Sequence, residues 1–194
     1  LTREARKMLD EAGWPQCQTT VSNALDEYLM RDLLQQGAQV DSFGVGERMI
    51  TASSQPVFGG VYKLVAVEDA AGEIHPKIKV SENVNKITDP HFKKLYRIYD
   101  KNTGKAEADY ITIHDETVDT ARPLELFDPR ATWKRKTYSN FILRPLQEQI
   151  FRGGELIYEQ PRLPEIQRYC LEQVDTLWDE VKRFDNAHGY YVDL

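Results

Sequence analysis

The 194-residue sequence predicts an α/β protein, the end of an α/β layer followed by a mostly antiparallel β region with a terminal helix. Three observations lead there. The first fifty residues alternate helix-like and strand-like runs with short joints, four β-rich runs joined by turn chemistry fill residues 60–114, and an amphipathic run closes the chain. The composition changes within "ASSQPVF", so residues 1–55 form the α/β part and residues 56–194 the β-rich part.

Residues 3–12 place Ala5, Met8, Leu9 and Ala12 on one helical stripe, with Thr2 as N-cap and Gly13 as stop. "CQTTVS", 17–22, is short and β-branched and reads as a strand. A helix over 25–36 follows, with Leu25, Tyr28, Leu29 and Leu33 on one face and Gly37 closing it; "AQVDSF" is the next strand. Beyond Ser53 the strands are "GVYKLVAVE" (60–68), "IHPKIKVSE" (74–82), "KKLYRIYD" (93–100) and "AEADYITIH" (106–114), with "DAAG" and "KNTG" as turns. Residues 115–136 read as a looser section, "RGGE" as the turn of one more hairpin, and Pro164 to about Arg183 as the closing helix. Ile166, Cys170, Leu177 and Val181 are its buried stripe.

Composition narrows the function. With 41% hydrophobic and 29% charged residues the chain is of ordinary globular type. A net charge of −6 opposes general nucleic-acid binding, which needs a clustered basic face, yet leaves room for a small anion held by backbone N–H groups. No apolar run approaches a membrane span. Cys17 and Cys170 stand far apart, which suits a reducing, cytoplasmic setting and offers neither a disulfide framework nor a cysteine zinc site. Leu1 is no natural initiator and a helix begins almost at once, so the chain reads as a fragment with upstream residues missing.

The informative motif is "SFGVGER". The 22 positions from Ser22 to Gly44 hold a helix and a second strand, the content of a βαβ unit, whose two strands run the same way. Ser22-Asn23 and Gly44-Val45-Gly46 therefore finish on one rim, where α/β barrels and open sheets bind their ligands. Glycines let a backbone approach an anion closely, and Ser22 and Asn23 add side-chain donors. A G-x-G that merely joins a strand to a helix is equally compatible with the spacing.

Other motifs point to structure. His75, His91, His114 and His188 show no zinc-protease spacing. His75 and His91 read as surface residues beside turns, and His188 as a residue past the last helix. "WKRK", 133–136, reads as a solvated basic loop, "LYRIYD" as ordinary sheet packing, and "DETVDT" lacks a calcium loop's spacing.

Longer runs carry a family likeness. "VSNALDEYLMRDLLQQGAQVDSFGVGERMITASSQPVFGGVYKLVAVE", "KVSENVNKITDPHFKKLYRIYDKNTGKAEAD", "FDPRATWKRK" and "RLPEIQRYCLEQVDTLWDEVKRFDNAHGYYVDL" closely resemble nicotinate phosphoribosyltransferases over nearly the whole chain. "LTREARKMLDEAG" is similar to the helix that follows the family's Asp-Ser-Gly-Asp segment. The resemblance implies an irregular phosphoribosyltransferase-type α/β barrel, here its C-terminal portion, followed by the β region. It implies formation of nicotinate mononucleotide and pyrophosphate from nicotinate and phosphoribosyl pyrophosphate in NAD biosynthesis, coupled to ATP hydrolysis, with Mg²⁺ and a homodimer. Ser22 and Asn23 match one phosphate loop, and Gly44, Val45 and Gly46 match the loop for the 5′-phosphate. The reacting groups, a histidine among them, are expected upstream of Leu1. Glu47 departs from the threonine many members carry, so it receives no phosphate contact, and no metal-binding residues are expected. The alternatives are another phosphate-binding barrel enzyme, an isomerase or aldolase, or a non-catalytic binding module. The first of these should show a Schiff-base lysine or paired carboxylates beside the rim.

Overall fold

The computed structural model describes residues 1–83 and 86–194 and divides the chain into two units, Leu1–Val61 and Tyr62–Leu194. The first runs α1 (Thr2–Glu11), β1 (Thr20–Ser22), α2 (Glu27–Gln35), β2 (Ser42–Gly44) and α3 (Glu47–Ile50). The helix breaks fall where glycine takes positive φ, Gly13 at 84° and Gly37 at 74°. Arg6 bonds Asp10 at 2.8 Å and donates to the carbonyls of Trp14 and Cys17, tying α1 to the loop that leads into β1.

Local hydrogen bonds trim these elements. Leu1 rather than Thr2 caps α1, and the Thr2 hydroxyl instead accepts the Gln39 N–H at 3.3 Å. Helix α2 begins at Glu27, two residues later than its apolar stripe suggests, because the Asp26 carboxylate accepts the Leu29 N–H at 2.9 Å and caps it. Leu25 is thereby released from the helix and becomes this unit's buried apolar residue among those described. Ala5, Met8 and Ala12 are exposed, so the α1 stripe covers no core in this unit. Strands β1 and β2 pair in parallel, Thr20 with Ser42, Val21 with Phe43 and Ser22 with Gly44.

The second unit is mainly sheet. Its first hairpin is β3 (Ala66–Glu68) with β4 (Ile74–Pro76), shorter than the two runs suggest: residues 60–65 and 77–82 are irregular. Strands β5 (Lys93–Asp100) and β6 (Ala106–Ile113) match the predicted runs residue for residue up to Ile113. The supposedly loose section is instead a hairpin, β7 (Leu124–Asp128) with β8 (Ala131–Tyr138), and "WKRK" lies inside β8. Its turn is set by Asp128, whose carboxylate accepts the Arg130 N–H at 2.8 Å. Then follow β9 (Phe141–Pro145), the short hairpin β10 (Phe151–Arg152) with β11 (Glu155–Leu156), α4 (Leu163–Thr176) and β12 (Val192–Asp193).

The larger sheet has the order β12-β6-β5-β9, with β12 parallel to β6 and the other pairs antiparallel. Residue 194 reaches on to β7: Leu194 and Phe127 exchange both backbone hydrogen bonds, at 3.1 and 3.2 Å. The core between these strands is Ile98, Ala108, Leu126, Tyr138 and Phe141, all buried. Each large apolar side chain among them contributes about 2 kcal/mol. Helix α4 stops at Thr176, not near Arg183, because Lys105 Nζ bonds the carbonyls of Asp175 and Leu177 at 2.8 and 3.2 Å and the backbone turns extended at Leu177. Leu177 and Val181 thus lie beyond the helix, and Ile166 and Cys170 are exposed. Polar contacts dock α4 instead: Gln173 Oε1 accepts from Tyr99 and Arg144 at 3.1 and 2.8 Å, and Arg144 bonds the Tyr169 hydroxyl at 2.7 Å.

Candidate phosphate-binding site

The parallel pairing brings the predicted rim residues together. Ser22 ends β1 directly opposite Gly44, which ends β2, so the Asn23 and Val45–Gly46 turns leave the same edge. The base of that edge is fixed by side chains. The Asp41 carboxylate accepts the Thr19 N–H at 2.6 Å and its hydroxyl at 3.2 Å, and Thr20 and Ser42 share a 2.7 Å hydroxyl bond. Those bonds from Thr19 hold the Asp41 carboxyl below the ordinary carboxylate range.

The two glycines do different jobs. A Cβ on Gly44 would sit 3.1 Å from both Cβ and Oγ of Ser22, a tight contact that favours glycine where the strands approach closely. A Cβ on Gly46 would meet no protein atom within 4 Å; the chain leaves open space on that side. Among the described residues, the N–H groups of Val45, Gly46, Glu47 and Arg48 find no acceptor in the protein's turn and loop hydrogen bonds. On the facing turn, Asn23 and Ala24 have φ of 124° and 45°, a conformation costly to residues with a Cβ. Ser22, Asn23, Val45 and Gly46 are exposed. Exposed main chain beside open space at a strand edge has room for a small anion.

Two residues to which the sequence reading gave no site role pair across the flanks of these turns. Asp26, the cap of α2, also pairs with Arg48 at 3.4 Å across 22 residues of chain. Arg48 thus answers Asp26 and not its neighbour Glu47, whose side chain is exposed. The Ser54 hydroxyl adds a second tie, donating to Glu27 at 3.2 Å.

The other flagged residues have structural partners. In "WKRK", Arg135 pairs with Glu125 at 2.7 Å and Lys136 with Glu107 at 2.5 Å, so their charge is already answered. A cavity of about 520 Å³ lined by Lys134, Lys136, Tyr138 and Asp193 lies within the second unit and mixes both signs of charge. His91 and His114 stack with centroids 5.7 Å apart. His75 bonds Asp69 at 2.8 Å, and with Glu73 these three place ligand atoms within 4.8 Å of one another around the β3–β4 turn. Asp69 also accepts the N–H groups of Ala71 and Glu73, which makes the group a lock on its own turn. Among the described residues no helix is long and apolar enough to cross a membrane.

Comparison with known proteins assigns the class and then the family. The fold is similar to the crystal structure of human nicotinic acid phosphoribosyltransferase, with a TM-score of 0.66 and 22% identity over 99% of this chain and 34% of that one; this likeness speaks for the mixed, sheet-rich fold. A curated nicotinate phosphoribosyltransferase of Bacillus subtilis is 42% identical over 194 residues, all of this chain and 39% of that protein. Its counterpart from Homo sapiens is 31% identical over 175 residues, 90% of this chain and 31% of that protein. The model of the nicotinate phosphoribosyltransferase C-terminal domain matches residues 92–194, more than half of the chain. The chain belongs to the nicotinate phosphoribosyltransferase family, and it spans about two fifths or less of the length of these relatives.

Proposed function

We propose that this chain takes part in the transfer of a phosphoribosyl group to nicotinate, and that its share is to hold the 5′-phosphate of substrate and product. Ser22, Asn23, Gly44, Val45 and Gly46 are the residues of that site. The observation carrying this reading is the rim itself: two turns that leave one strand edge side by side, with open space at Gly46, in a chain of this family.

The chemistry asks for position more than for covalent help. Departure of pyrophosphate leaves positive charge developing on the ribose, so a phosphate fixed five atoms away orients that carbon against the incoming ring. Main-chain N–H groups do this without adding a full charge near the reacting centre. The Ser22 hydroxyl is free to add one more donor. Glu47 works against the phosphate unless its side chain stays in solvent, where this structure has it.

The rest of the family's reading is extended to this chain as part of the proposal: nicotinate mononucleotide and pyrophosphate as products, ATP as co-substrate, Mg²⁺ on the pyrophosphate, and a cytoplasmic homodimer. The rim does not itself fit Mg²⁺. Of the carboxylates near this strand pair, Asp26 is engaged by Leu29 and Arg48, Asp41 by Thr19 and Glu27 by Ser54, which leaves Glu47 as a single exposed carboxylate among N–H and hydroxyl groups. Such donors suit phosphate oxygens, whereas Mg²⁺ takes carboxylates, phosphates and water. No observation favours an isomerase or aldolase.

The test is Gly46→Val in the intact protein, titrated with nicotinate mononucleotide by calorimetry. A β-branched side chain would occupy the open space, and affinity should fall at least about tenfold. Unchanged affinity would overturn the phosphate assignment.

A further inference from the structure

The strongest unexplained arrangement in the first unit is a pair of strained residues flanked by ties that reach across the chain. Asn23 and Ala24 hold positive φ directly after the strand residue that faces Gly44. Such conformations persist only where their surroundings over-determine them. Two residues on, Asp26 is fixed twice, by the Leu29 N–H at 2.9 Å and by the Arg48 guanidinium at 3.4 Å. Arg48 in turn lies two residues beyond Gly46, so the ion pair bridges the chain just outside both turns. Ser54 and Glu27 repeat the tie one step further out.

We infer that Asp26 and Arg48 form a clasp that sets the spacing of the Asn23–Ala24 turn and the Gly44–Gly46 turn, which makes both of them positioning residues for the 5′-phosphate. The inference rests on the phosphate reading above. An exposed ion pair is a weak source of stability. Its place here, closing the gap between two turns that must present donors to one anion, gives it a different value: it limits how far those donors can drift apart. The carboxylate and guanidinium neutralise one another, so Arg48 is not an additional phosphate ligand. The positioning is geometric.

The experiment is a double-mutant cycle in the intact enzyme. Asp26→Asn keeps a capping oxygen for Leu29 while removing the charge, Arg48→Gln removes the other charge, and Arg48→Lys restores it. Each single change should raise KM for phosphoribosyl pyrophosphate about fivefold with kcat nearly unchanged, because the phosphate is gripped alike in ground and transition states. The double variant should lose no more than either single variant, and Arg48→Lys should recover most of the loss. Thermal unfolding midpoints should barely move, which separates the clasp from a general structural prop. Additive losses in the double variant, or singles with an unaltered KM, would overturn the clasp. Gly46→Val distinguishes the two levels: if it raises KM while the clasp variants do not, only the clasp fails, and if it too leaves KM unaltered, the phosphate site fails with it.

Discussion

Gly44 and Gly46 are one residue apart and answer to different forces. Gly44→Ala should destabilise the first unit, since the new methyl meets Ser22 at 3.1 Å and the strand pair must spread. Gly46→Ala should leave stability within about 0.5 kcal/mol, the usual effect of a change that meets no structural feature. Urea unfolding of the two variants checks this, and equal losses would refute the division of labour. The sequence shows that both positions are glycine and that both end a strand. It cannot show which glycine faces protein and which faces solvent, because that depends on register: only the pairing of Ser22 with Gly44 brings a side chain against one of them. The clasp was hidden for a similar reason, since the sequence places Asp26 inside a helix over 25–36 and Arg48 beside Glu47, and nothing pairs the two until the turns are side by side.

At the scale of elements, the last strand is held by a polar lock. Arg97 bonds Asp109 through two hydrogen bonds, at 2.7 and 3.0 Å, and the Tyr190 hydroxyl bonds the same carboxylate at 3.0 Å. The Arg97 guanidinium also lies over the Tyr190 ring at 5.6 Å, and its pKa is raised chiefly by the bond to Asp109. Asp109→Ala should cost about 3 kcal/mol, because a half-buried guanidinium and a tyrosine hydroxyl lose their shared partner. Denaturant unfolding followed by tryptophan fluorescence measures it. Asp193 behaves oppositely. Burial first, and the nearby Asp128 second, push its carboxyl above the ordinary value of 3.8, with Lys136 pulling the other way. The folded state therefore holds this proton more tightly than the unfolded chain. Its contribution to stability is greatest in acid and is lost as pH rises through the folded pKa. Asp193→Asn should stabilise the second unit at pH 7 and lose that advantage near pH 3; a pH-independent difference would show that charge is not the cause. Legibility varies among these elements with their surroundings. Strands β5 and β6 were plain because aromatic and β-branched residues run between two sets of turn residues. The β7–β8 hairpin was not, because only Leu126, Ala131 and Tyr138 in it are fully buried, while Trp133 and the charged or polar residues between Ala131 and Tyr138 are exposed. Helix α4 was overrun at its end because nothing local announces that Lys105, seventy residues away, takes its final carbonyls.

For the whole molecule, the two units differ in how they are built. The first carries the candidate site on two parallel strands of three residues each, and the second holds the main apolar core. Between them residues 54–65 have no helix or strand, and Phe58 and Tyr62 are fully exposed. Brief chymotrypsin treatment should cut there first and release a fragment beginning near residue 59 or 63, identified by mass spectrometry; first cuts inside β5 or β6 would contradict the division. The helix and strand runs of the first fifty residues and the hairpin runs after them were readable from periodicity and turn residues, whereas the partners of β12 were not readable from two residues of sequence. That last pairing also has a bearing on how the chain matures. The seam from Asp109 to Tyr190 spans 81 positions, and residues 192–194 stitch β6 to β7. While a ribosome is still making the chain, every strand before β12 can emerge with its seam open, so the second unit reaches its final form only once residue 194 has left the exit tunnel.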